Sequence, residues 1–217
     1  MKNIAIVGAG GFGREVKLII DAINAQETQY NFIGFYDDGI PKGTYINGFP
    51  VLGKVEDLKY VKNFLCIAVA TGTPSVKRNI VENIQNTFII YPNIIHPSAI
   101  ISNDEVFLGK GIIICAYSII TCNIIVEDFV ILNLLCTVGH DTTIKKYSSF
   151  MPSVNISGEV LIEEEVYVGT GAKIINQLTI GANTIIGAGA VVSKSLPAYC
   201  TAVGIPAKPI KFHEPIK

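Results

Sequence analysis

A histidine followed directly by a carboxylate, His140-Asp141, is the pair of side chains in this chain best suited to proton transfer. A histidine can remove a proton from a nucleophile near neutral pH, and a neighbouring carboxylate can set its tautomer or support its basicity. The other two histidines, His96 and His213, lie outside the repetitive region described below. An exposed, solvated histidine without a catalytic role is the alternative interpretation of His140.

A glycine-rich turn near the N-terminus, Gly8-Ala9-Gly10-Gly11-Phe12-Gly13, has the spacing of a phosphate-binding loop. It follows an apolar segment and precedes a segment with helical periodicity, so free backbone N–H groups and the helix dipole would favour an anion there. Asp37 and Asp38 end the next predicted strand, and Thr71-Gly72 ends the third, at the sheet edge where ligands gather. We therefore expect a mononucleotide or a nucleotide-linked sugar at these residues, and a tight turn without a ligand is the alternative.

The element that must position His140 is a hexapeptide repeat. Fifteen consecutive apolar residues occupy every sixth position from Leu108 to Val192. Neither a helix nor a half-buried strand has this period, whereas a parallel β-helix does. Three hexads form one coil of a triangular prism, so we expect five coils with these residues stacked inside. An ordinary β-sandwich with accidental spacing is the alternative.

Small residues and glycines recur at fixed places in the hexads. The residue two places before the apolar position is small or β-branched in most hexads, and we expect it at the tight corner of the coil. Glycine often follows the apolar position, where we expect it to allow unusual backbone angles. These glycines are Gly109, Gly139, Gly169, Gly181 and Gly187.

Residues before the repeat alternate between strand and helix patterns. We predict strands at 2–8, 31–36, 64–70 and 87–91, a hairpin at 45–52, and helices at 14–25, 56–61 and 74–85, with Thr73 as the N-cap of the last. This order predicts an α/β domain with a small, Rossmann-like parallel sheet. We assign residues 1–92 to this nucleotide-sugar domain and residues 93–217 to the β-helix with its C-terminal tail.

The composition excludes several classes of function. With 17 basic and 18 acidic residues, the chain has no electrostatic footprint for nucleic acid. The sequence contains no run of 18 apolar residues that would predict a membrane-spanning helix, and its first residues do not resemble a signal peptide. The five cysteines have neither a CxxC pair nor a zinc spacing, so we expect free thiols in a reducing compartment and no metal site. They are Cys66, Cys115, Cys122, Cys136 and Cys200.

The repeat and the terminal segment Gly204-Ile205-Pro206-Ala207-Lys208 resemble the left-handed β-helix acyltransferases. With IVGAGGFGREV at 6–16 and FYDD at 35–38, the whole chain resembles the sialic acid O-acetyltransferase family, which includes N-acetyltransferases of UDP-4-amino-sugars and GDP-perosamine. The resemblance implies a left-handed β-helix that binds acetyl-CoA, an N-terminal domain that holds the nucleotide sugar, and a homotrimer with active sites between neighbouring β-helices. We expect the apolar residues Ile124, Ile125 and Phe129 to lie at non-core positions on the trimer contact.

The resemblance also assigns roles to individual residues. His140 and Asp141 match the catalytic pair of the family, with Asp141 where many members have Glu. Ser149 stands where the family has a second histidine, and Phe12 where several relatives have one. The expected substrate contacts are Gly8, Gly10, Gly11, Phe12, Gly13, Asp37, Asp38, Thr71, Gly72 and Asn133. The expected acetyl-CoA contacts are Gly158, through its backbone amide, with Ser149, Gly204 and Lys208.

The resemblance thus implies a cytoplasmic enzyme that transfers acetyl from its co-substrate acetyl-CoA to the amino group of a nucleotide-linked sugar in bacterial surface-glycan biosynthesis. O-acetylation of sialic acid or another polysaccharide sugar is the alternative. An NAD(P) oxidoreductase fused to a structural β-helix is disfavoured because the sheet is short and residues 1–90 lack a catalytic dyad. A non-catalytic sugar-nucleotide sensor is disfavoured because His140-Asp141 lies in the expected coil.

Overall fold

The computed structural model describes residues 1–214 and begins with a sheet flanked by helices. Its elements are β1 (Lys2–Val7), α1 (Gly11–Gln26), β2 (Tyr30–Tyr36), β3 (Tyr45–Ile46), β4 (Phe49–Gly53), a 3-10 helix (Val55–Tyr60), β5 (Leu65–Val69), α2 (Pro74–Asn83) and β6 (Ile89–Ile90). The strand order is β3-β4-β2-β1-β5-β6, and every neighbouring pair is parallel except the β3–β4 hairpin. The predicted elements are confirmed, but the Thr73 side chain makes no capping hydrogen bond at α2.

The second part is a stack of short parallel strands. In chain order they are β7 (Ile94–Ile95), β8 (Ile100–Ile101), β9 (Val106–Leu108), β10 (Ile113–Ile114), β11 (Ile119–Ile120), β12 (Ile124–Val126), β13 (Ile131–Leu132), β14 (Thr137–Val138), β15 (Thr143–Ile144), β16 (Ser149–Phe150), β17 (Asn155–Ile156), β18 (Leu161–Ile162), β19 (Tyr167–Val168), β20 (Lys173–Ile174), β21 (Thr179–Ile180), β22 (Ile185–Ile186), β23 (Val191–Val192), β24 (Cys200–Val203) and β25 (Lys208–Phe212). Only β25 is antiparallel to its neighbour, β24.

These strands form the three faces of a prism. Face 1 is the sheet from β7 through every third strand to β22, followed by β24 and β25; face 2 runs from β8 to β23, and face 3 from β9 to β21. The predicted parallel β-helix is confirmed, and from Ile114 to Val192 every sixth residue is buried inside it. Each coil contacts only its neighbours, so a residue is stacked on the residue 18 positions away.

The β-helix is longer than the predicted five coils. It begins two strands earlier, at Ile94, and Leu196 follows β22 and β23 to close a sixth coil. The sequence pattern missed β7 and β8 because Ile101 and Leu108 are seven residues apart. The turn between β8 and β9 contains one residue more than the period allows.

The predicted reason for the recurrent glycines is wrong. None of the five glycines that follow the inward position has a positive φ; left-handed backbone occurs three residues before that position, mostly at residues other than glycine. Instead, these glycines let successive coils approach each other. A β-carbon at Gly139 would lie 2.6 Å from the carbonyl carbon of Ser157, and one at Gly169 would lie 2.5 Å from the nitrogen of Ala188.

The two parts share a hydrophobic core. Apolar residues of α1, among them Val16 and Ile20, join one buried cluster with the outward side chains Ile94, Ile113 and Ile131 of face 1. The N-terminal sheet is therefore held in a fixed place over the lower coils. The division of the chain at residue 92 stays a prediction, and residues 215–217 of the predicted second domain lie outside the described residues.

Two of the three apolar residues expected at the trimer contact are buried within the chain. Ile124 is 0% exposed and Phe129 is 2% exposed, whereas Ile125 is 45% exposed. The Phe129 ring lies between Tyr91, at a centroid distance of 5.1 Å, and Tyr147, at 5.5 Å. Phe129 therefore anchors the segment that joins the two parts, and of these three residues only Ile125 is available for a contact between chains.

Candidate active site

His140 lies at the corner between faces 2 and 3, directly after β14. Its Nδ1 is 2.7 Å from Oδ2 of Asp141, and the two side chains are 57% and 49% exposed. Asp141 turns the chain at this corner with a φ of 57°. The hydrogen bond assigns the proton to Nδ1, which leaves the lone pair of Nε2 free to accept a proton from a ligand.

The carboxylate of Asp141 has a second partner that the sequence pattern did not reveal. Nδ2 of Asn123 donates a hydrogen bond to Oδ1 of Asp141 over 3.0 Å. Hydrogen bonds from His140 and, second, from Asn123 hold the pKa of Asp141 below its ordinary value. Asn123 lies 18 residues before Asp141, so the coil length of three hexads was the signal that could have found it.

Gly158 lies on the coil above His140, against the imidazole ring. A β-carbon at Gly158 would lie 2.5 Å from both Cε1 and Nε2 of the imidazole. Equivalent corner positions elsewhere carry Ala116, Ala182 and Ala188, so the backbone itself accepts a side chain there. The Gly158 N–H donates to no group within residues 1–214, and it lies beside the ring that can accept a proton. A hydrogen-bond donor and a proton acceptor therefore face the same open corner.

Ser149 is not brought to this corner. It is an outward residue of β16 on face 1, it is 0% exposed, and its Oγ accepts a hydrogen bond of 2.8 Å from Nζ of Lys77 in α2. Lys77 is itself 1% exposed, and burial lowers its pKa well below the ordinary lysine value. The structure thus encloses the serine between the two parts of the chain instead of exposing it to a co-substrate.

The glycine-rich turn joins β1 to α1 in a tightly fixed conformation. Gly8 has a φ of +98°, and a β-carbon there would lie 2.9 Å from the carbonyl oxygen of Ala70. A β-carbon at Gly13 would overlap the carbonyl oxygen of Gly8. The N–H groups of Gly11, Phe12 and Gly13 begin α1 and have no partner within the helix. They are available to an anion at the carboxyl edge of the sheet.

The two aspartates after β2 are engaged with the protein backbone. Asp37 accepts hydrogen bonds from the N–H of Ala9 and the N–H of Gly39, each 2.8 Å long, and so fixes the glycine-rich turn. Asp38 accepts a hydrogen bond of 2.9 Å from the N–H of Val55 at the start of the 3-10 helix. Both side chains lie at the predicted edge, but their known partners are main-chain groups.

The remaining predicted sugar-site residues lie together at the corner between faces 1 and 2. A β-carbon at Gly72 would be 3.5 Å from Cε of Met151, which follows β16. Asn133 occupies the same corner one coil below, where it is 5% exposed and its Oδ1 accepts the N–H of Leu134 over 2.7 Å. The sugar-site candidates and His140 therefore occupy two different corners of the prism, on either side of face 2.

Gly204 and Lys208 lie in the β24–β25 hairpin at the upper end of face 1, and the turn between these two strands passes above β23 of face 2. The carbonyl of Gly204 accepts a hydrogen bond of 3.1 Å from the N–H of Val191, the first residue of β23. The hairpin is thus four strand spacings above β14, or about 19 Å at about 4.8 Å per strand. Gly158 is one coil above His140, so in height it lies between His140 and the hairpin.

The described residues offer little for metal or thiol chemistry. No three His, Cys, Asp or Glu side chains within residues 1–214 are grouped closely enough to hold a metal ion. Burial raises the pKa of Cys115 and of Cys136 to about 12, so neither is a thiolate near neutral pH. No helix in the same range is long and apolar enough to cross a bilayer.

Known proteins share both parts of this architecture. Residues 3–84 match the family model of the PglD N-terminal domain, and residues 159–194 match that of the bacterial transferase hexapeptide (six repeats). GDP-perosamine N-acetyltransferase of Escherichia coli O157:H7 is 34% identical over 219 residues, which cover 97% of this chain and 97% of the relative.

Two solved structures agree with this match. PerB from Caulobacter crescentus, in complex with CoA and GDP-perosamine, has a TM-score of 0.88 at 29% identity, covering 97% of this chain and 98% of that chain. The acetyltransferase domain of PglB from Neisseria gonorrhoeae FA1090, in complex with acetyl coenzyme A, has a TM-score of 0.87 at 33% identity, covering 96% and 99%. The chain therefore belongs to the nucleotide-amino-sugar N-acetyltransferase family of left-handed β-helix hexapeptide acyltransferases.

Proposed function

We propose that this protein transfers the acetyl group of acetyl-CoA to the amino group of a nucleotide-linked amino sugar used in bacterial surface-glycan biosynthesis. The observation that carries the proposal is the corner at which the ring of His140, bonded to Asp141, lies against Gly158 with its free N–H. Relatives along the whole chain include a GDP-perosamine N-acetyltransferase and a structure with CoA and GDP-perosamine. We propose that the reaction takes place in the cytoplasm.

In this mechanism the sugar amine attacks the thioester carbon directly. The C–N bond forms as Nε2 of His140 removes a proton from the nitrogen, and Asp141 stabilises the resulting imidazolium. The Gly158 N–H donates a hydrogen bond to the oxyanion of the tetrahedral intermediate. The C–S bond then breaks, and the imidazolium returns its proton to the departing thiolate, so no acyl-enzyme forms.

We further propose that acetyl-CoA lies along the side of the prism marked by Gly158 and the β24–β25 hairpin. The thioester would lie at Gly158, and the extended arm would run upward past the coils to Gly204 and Lys208. The exposed ammonium of Lys208 suits the phosphates at the far end of the molecule. The distance of about 19 Å between the two ends, set by strand spacing, is consistent with a long, extended co-substrate.

The nucleotide sugar would bind at the other corner, against the first turn of α1 and the Thr71-Gly72 segment. Because this corner and the His140 corner are on opposite edges of face 2, one chain cannot easily supply both to one substrate. We therefore propose a homotrimer in which the sugar corner of one chain adjoins the His140 corner of its neighbour. Exposed apolar residues on the lower coils support a contact between chains; they are Phe107, Tyr117, Ile119, Ile125 and Leu135.

The test is a thiol-release assay with acetyl-CoA and a panel of GDP-, UDP- and dTDP-linked amino sugars together with free sialic acid. We expect thiol release with at least one nucleotide-linked amino sugar, and a product whose mass and amide proton identify an N-acetyl group. Release with sialic acid alone would replace N-acetylation by O-acetylation. No release with any nucleotide sugar, from a protein that binds acetyl-CoA, would contradict the proposal.

A further inference from the structure

A vertical row of residues runs along the corner between faces 2 and 3, one residue per coil. Its members share a spacing of 18 residues and a left-handed backbone with φ between 52° and 61°. We call it the corner column; it consists of Glu105, Asn123, Asp141, Glu159 and Gln177. Asp141, the partner of His140, is its central member.

Two carboxylates in the column occupy successive coils, and each is bonded to an amide on its far side. Oδ1 of Asp141 accepts from Asn123 below it over 3.0 Å, and Oε2 of Glu159 accepts from Gln177 above it over 3.2 Å. Like charges one strand spacing apart repel each other. The two amides therefore draw the two carboxylates in opposite directions, away from each other.

Only one of these carboxylates also binds the imidazole. With Asn123 bonded to Oδ1, the Oδ2 atom of Asp141 is held 2.7 Å from Nδ1 of His140. Both side chains of the pair are about half exposed, and an exposed ion pair held by a single contact contributes little in water. A second hydrogen bond fixes the plane of the carboxylate and so makes the first one persistent.

We propose that Asn123 is a positioning residue that keeps His140 in the Nδ1–H tautomer by holding the Asp141 carboxylate against it. The inference rests on the proposed function, since this tautomer presents the unprotonated Nε2 to the sugar amine. An amide suits this position because it donates a hydrogen bond without neutralising the carboxylate that must support an imidazolium. A lysine or arginine would add a competing positive charge.

A purely structural role for Asn123 is the competing explanation, because asparagine tolerates left-handed backbone better than most residues. Asn183 provides a matched control. It has a φ of 57° at a different corner, and its side chain makes no hydrogen bond within residues 1–214. Replacing either asparagine by glycine keeps the backbone conformation accessible and removes only the side chain.

The experiment measures the tautomer of His140 directly. Full-length wild type, Asn123→Gly, Asn123→Asp and Asn183→Gly are labelled with ¹⁵N-histidine, and His140→Ala identifies the resonance of interest among the three histidines. The ¹⁵N shifts above the titration range report which ring nitrogen carries the proton. We expect mainly the Nδ1–H form in wild type and in Asn183→Gly, and a marked rise of the Nε2–H form in Asn123→Gly.

Asn123→Asp separates the hydrogen bond that the side chain donates from the size of the side chain. Aspartate has the same size and the same tolerance of left-handed backbone, but it has only acceptor oxygens. It should lose the Nδ1–H preference as well. The groups that face this pair are Cys122 and Asn123 from the coil below, Glu159 from the coil above, and Glu105 one coil further down. None of them is altered in Asn183→Gly.

Turnover gives a second, independent readout. We expect Asn123→Gly to lower kcat by about tenfold, the equivalent of one hydrogen bond to a charged group, with KM for acetyl-CoA unchanged. An unchanged tautomer in Asn123→Gly, or the same change in Asn183→Gly, would overturn the proposal. Because the tautomer is measured without substrates, that result is distinct from a failure of the wild-type protein to transfer acetyl groups.

Discussion

The imidazole of His140 occupies the space that a side chain at Gly158 would need, since a β-carbon there would lie 2.5 Å from two of the ring atoms. Since Ala116, Ala182 and Ala188 occupy the equivalent hexad position at the other two corners, the requirement for glycine comes from the imidazole and not from the backbone. Because Gly158 has no β-carbon, the ring of the proposed base can lie directly beside the N–H of the proposed oxyanion donor.

Gly158→Ala should displace the imidazole and lower kcat about 10²-fold, near the lower end of what the loss of a general base costs. The oligomeric state of the wild type and its thermal midpoint should be retained, because the backbone accepts alanine at this position. Ala182→Gly is the matched control and should leave turnover unchanged. Wild-type turnover in Gly158→Ala would show that the ring can move without consequence, which is incompatible with the proposed geometry.

His140→Ala should lower kcat by about 10²–10⁴-fold while acetyl-CoA affinity persists, because the side chain is outside the inward stack. Asp141→Asn should cost less, since it alters only the support of the imidazole. Steady-state rates are compared at pH 7 and pH 9, where an amine acceptor that has already lost its proton would partly rescue His140→Ala. Full activity of His140→Ala at pH 7 would remove most of the case for catalysis at this corner.

Asp37→Ala should weaken nucleotide-sugar binding by about tenfold, because its carboxylate holds the Ala9 N–H of the glycine-rich turn. Asp38→Ala, which loses only the bond to Val55, is the comparison and should have a smaller effect. Calorimetric titration with the accepted nucleotide sugar and with acetyl-CoA separates the two sites. An unchanged affinity for the sugar in Asp37→Ala would move its binding site away from this turn.

Ile125→Glu should prevent trimer formation at micromolar concentration, since assembly would bury an unpaired carboxylate on face 3. Ile185→Glu is the control: Ile185 has similar exposure, 40% against 45%, but it belongs to face 1, which carries the N-terminal sheet. Sedimentation velocity gives the mass of each variant. A wild-type monomer, or a trimer that persists in Ile125→Glu, would contradict the proposed contact.

Lys77 should make the unfolding free energy depend on pH. Its pKa is lowered in the folded state, so the unfolded chain binds a proton that the folded chain does not. Stability is therefore lost as the pH falls from about 10.4 towards the folded pKa, by up to about 1.4 kcal/mol per pH unit. As the pH falls from 10 to 7, the free energy of unfolding of the wild type should decrease relative to that of Lys77→Met.

Urea midpoints at one protein concentration, measured at intervals from pH 7 to pH 10, test this dependence. Lys59→Met, at an exposed lysine of the 3-10 helix, should follow the same pH profile as wild type. If Lys77→Met also runs parallel to wild type, the buried amine does not release its proton on folding.

The sequence pattern predicted the β-helix because inward residues such as Ile114 and Phe150 repeat without a gap, and the position of His140 at a corner follows from that count. It missed β7 and β8, because one extra residue in the turn before β9 breaks the period between Ile101 and Leu108. The predicted reason for the glycines of the repeat, unusual backbone angles, was wrong. The actual reason is the short distance between coils, which a sequence pattern does not contain.

Contacts between distant parts of the chain were beyond the sequence pattern. Nothing near Ser149 indicates that Lys77, 72 residues earlier, encloses it, because that contact depends on how α2 lies on face 1. Asp37 was correctly expected at the sheet edge, but its bond to Ala9 depends on the path of the turn. Asn123 was within reach, since the period of 18 already relates it to Asp141.

Each coil of the prism is hydrogen bonded only to the coils directly above and below it. The height between His140 and the β24–β25 hairpin can therefore change only in whole steps of about 4.8 Å, one for every 18 residues added or removed. If the acyl donor binds between these two places, the length of donor that fits depends on the number of coils between them. No single substitution would change that length.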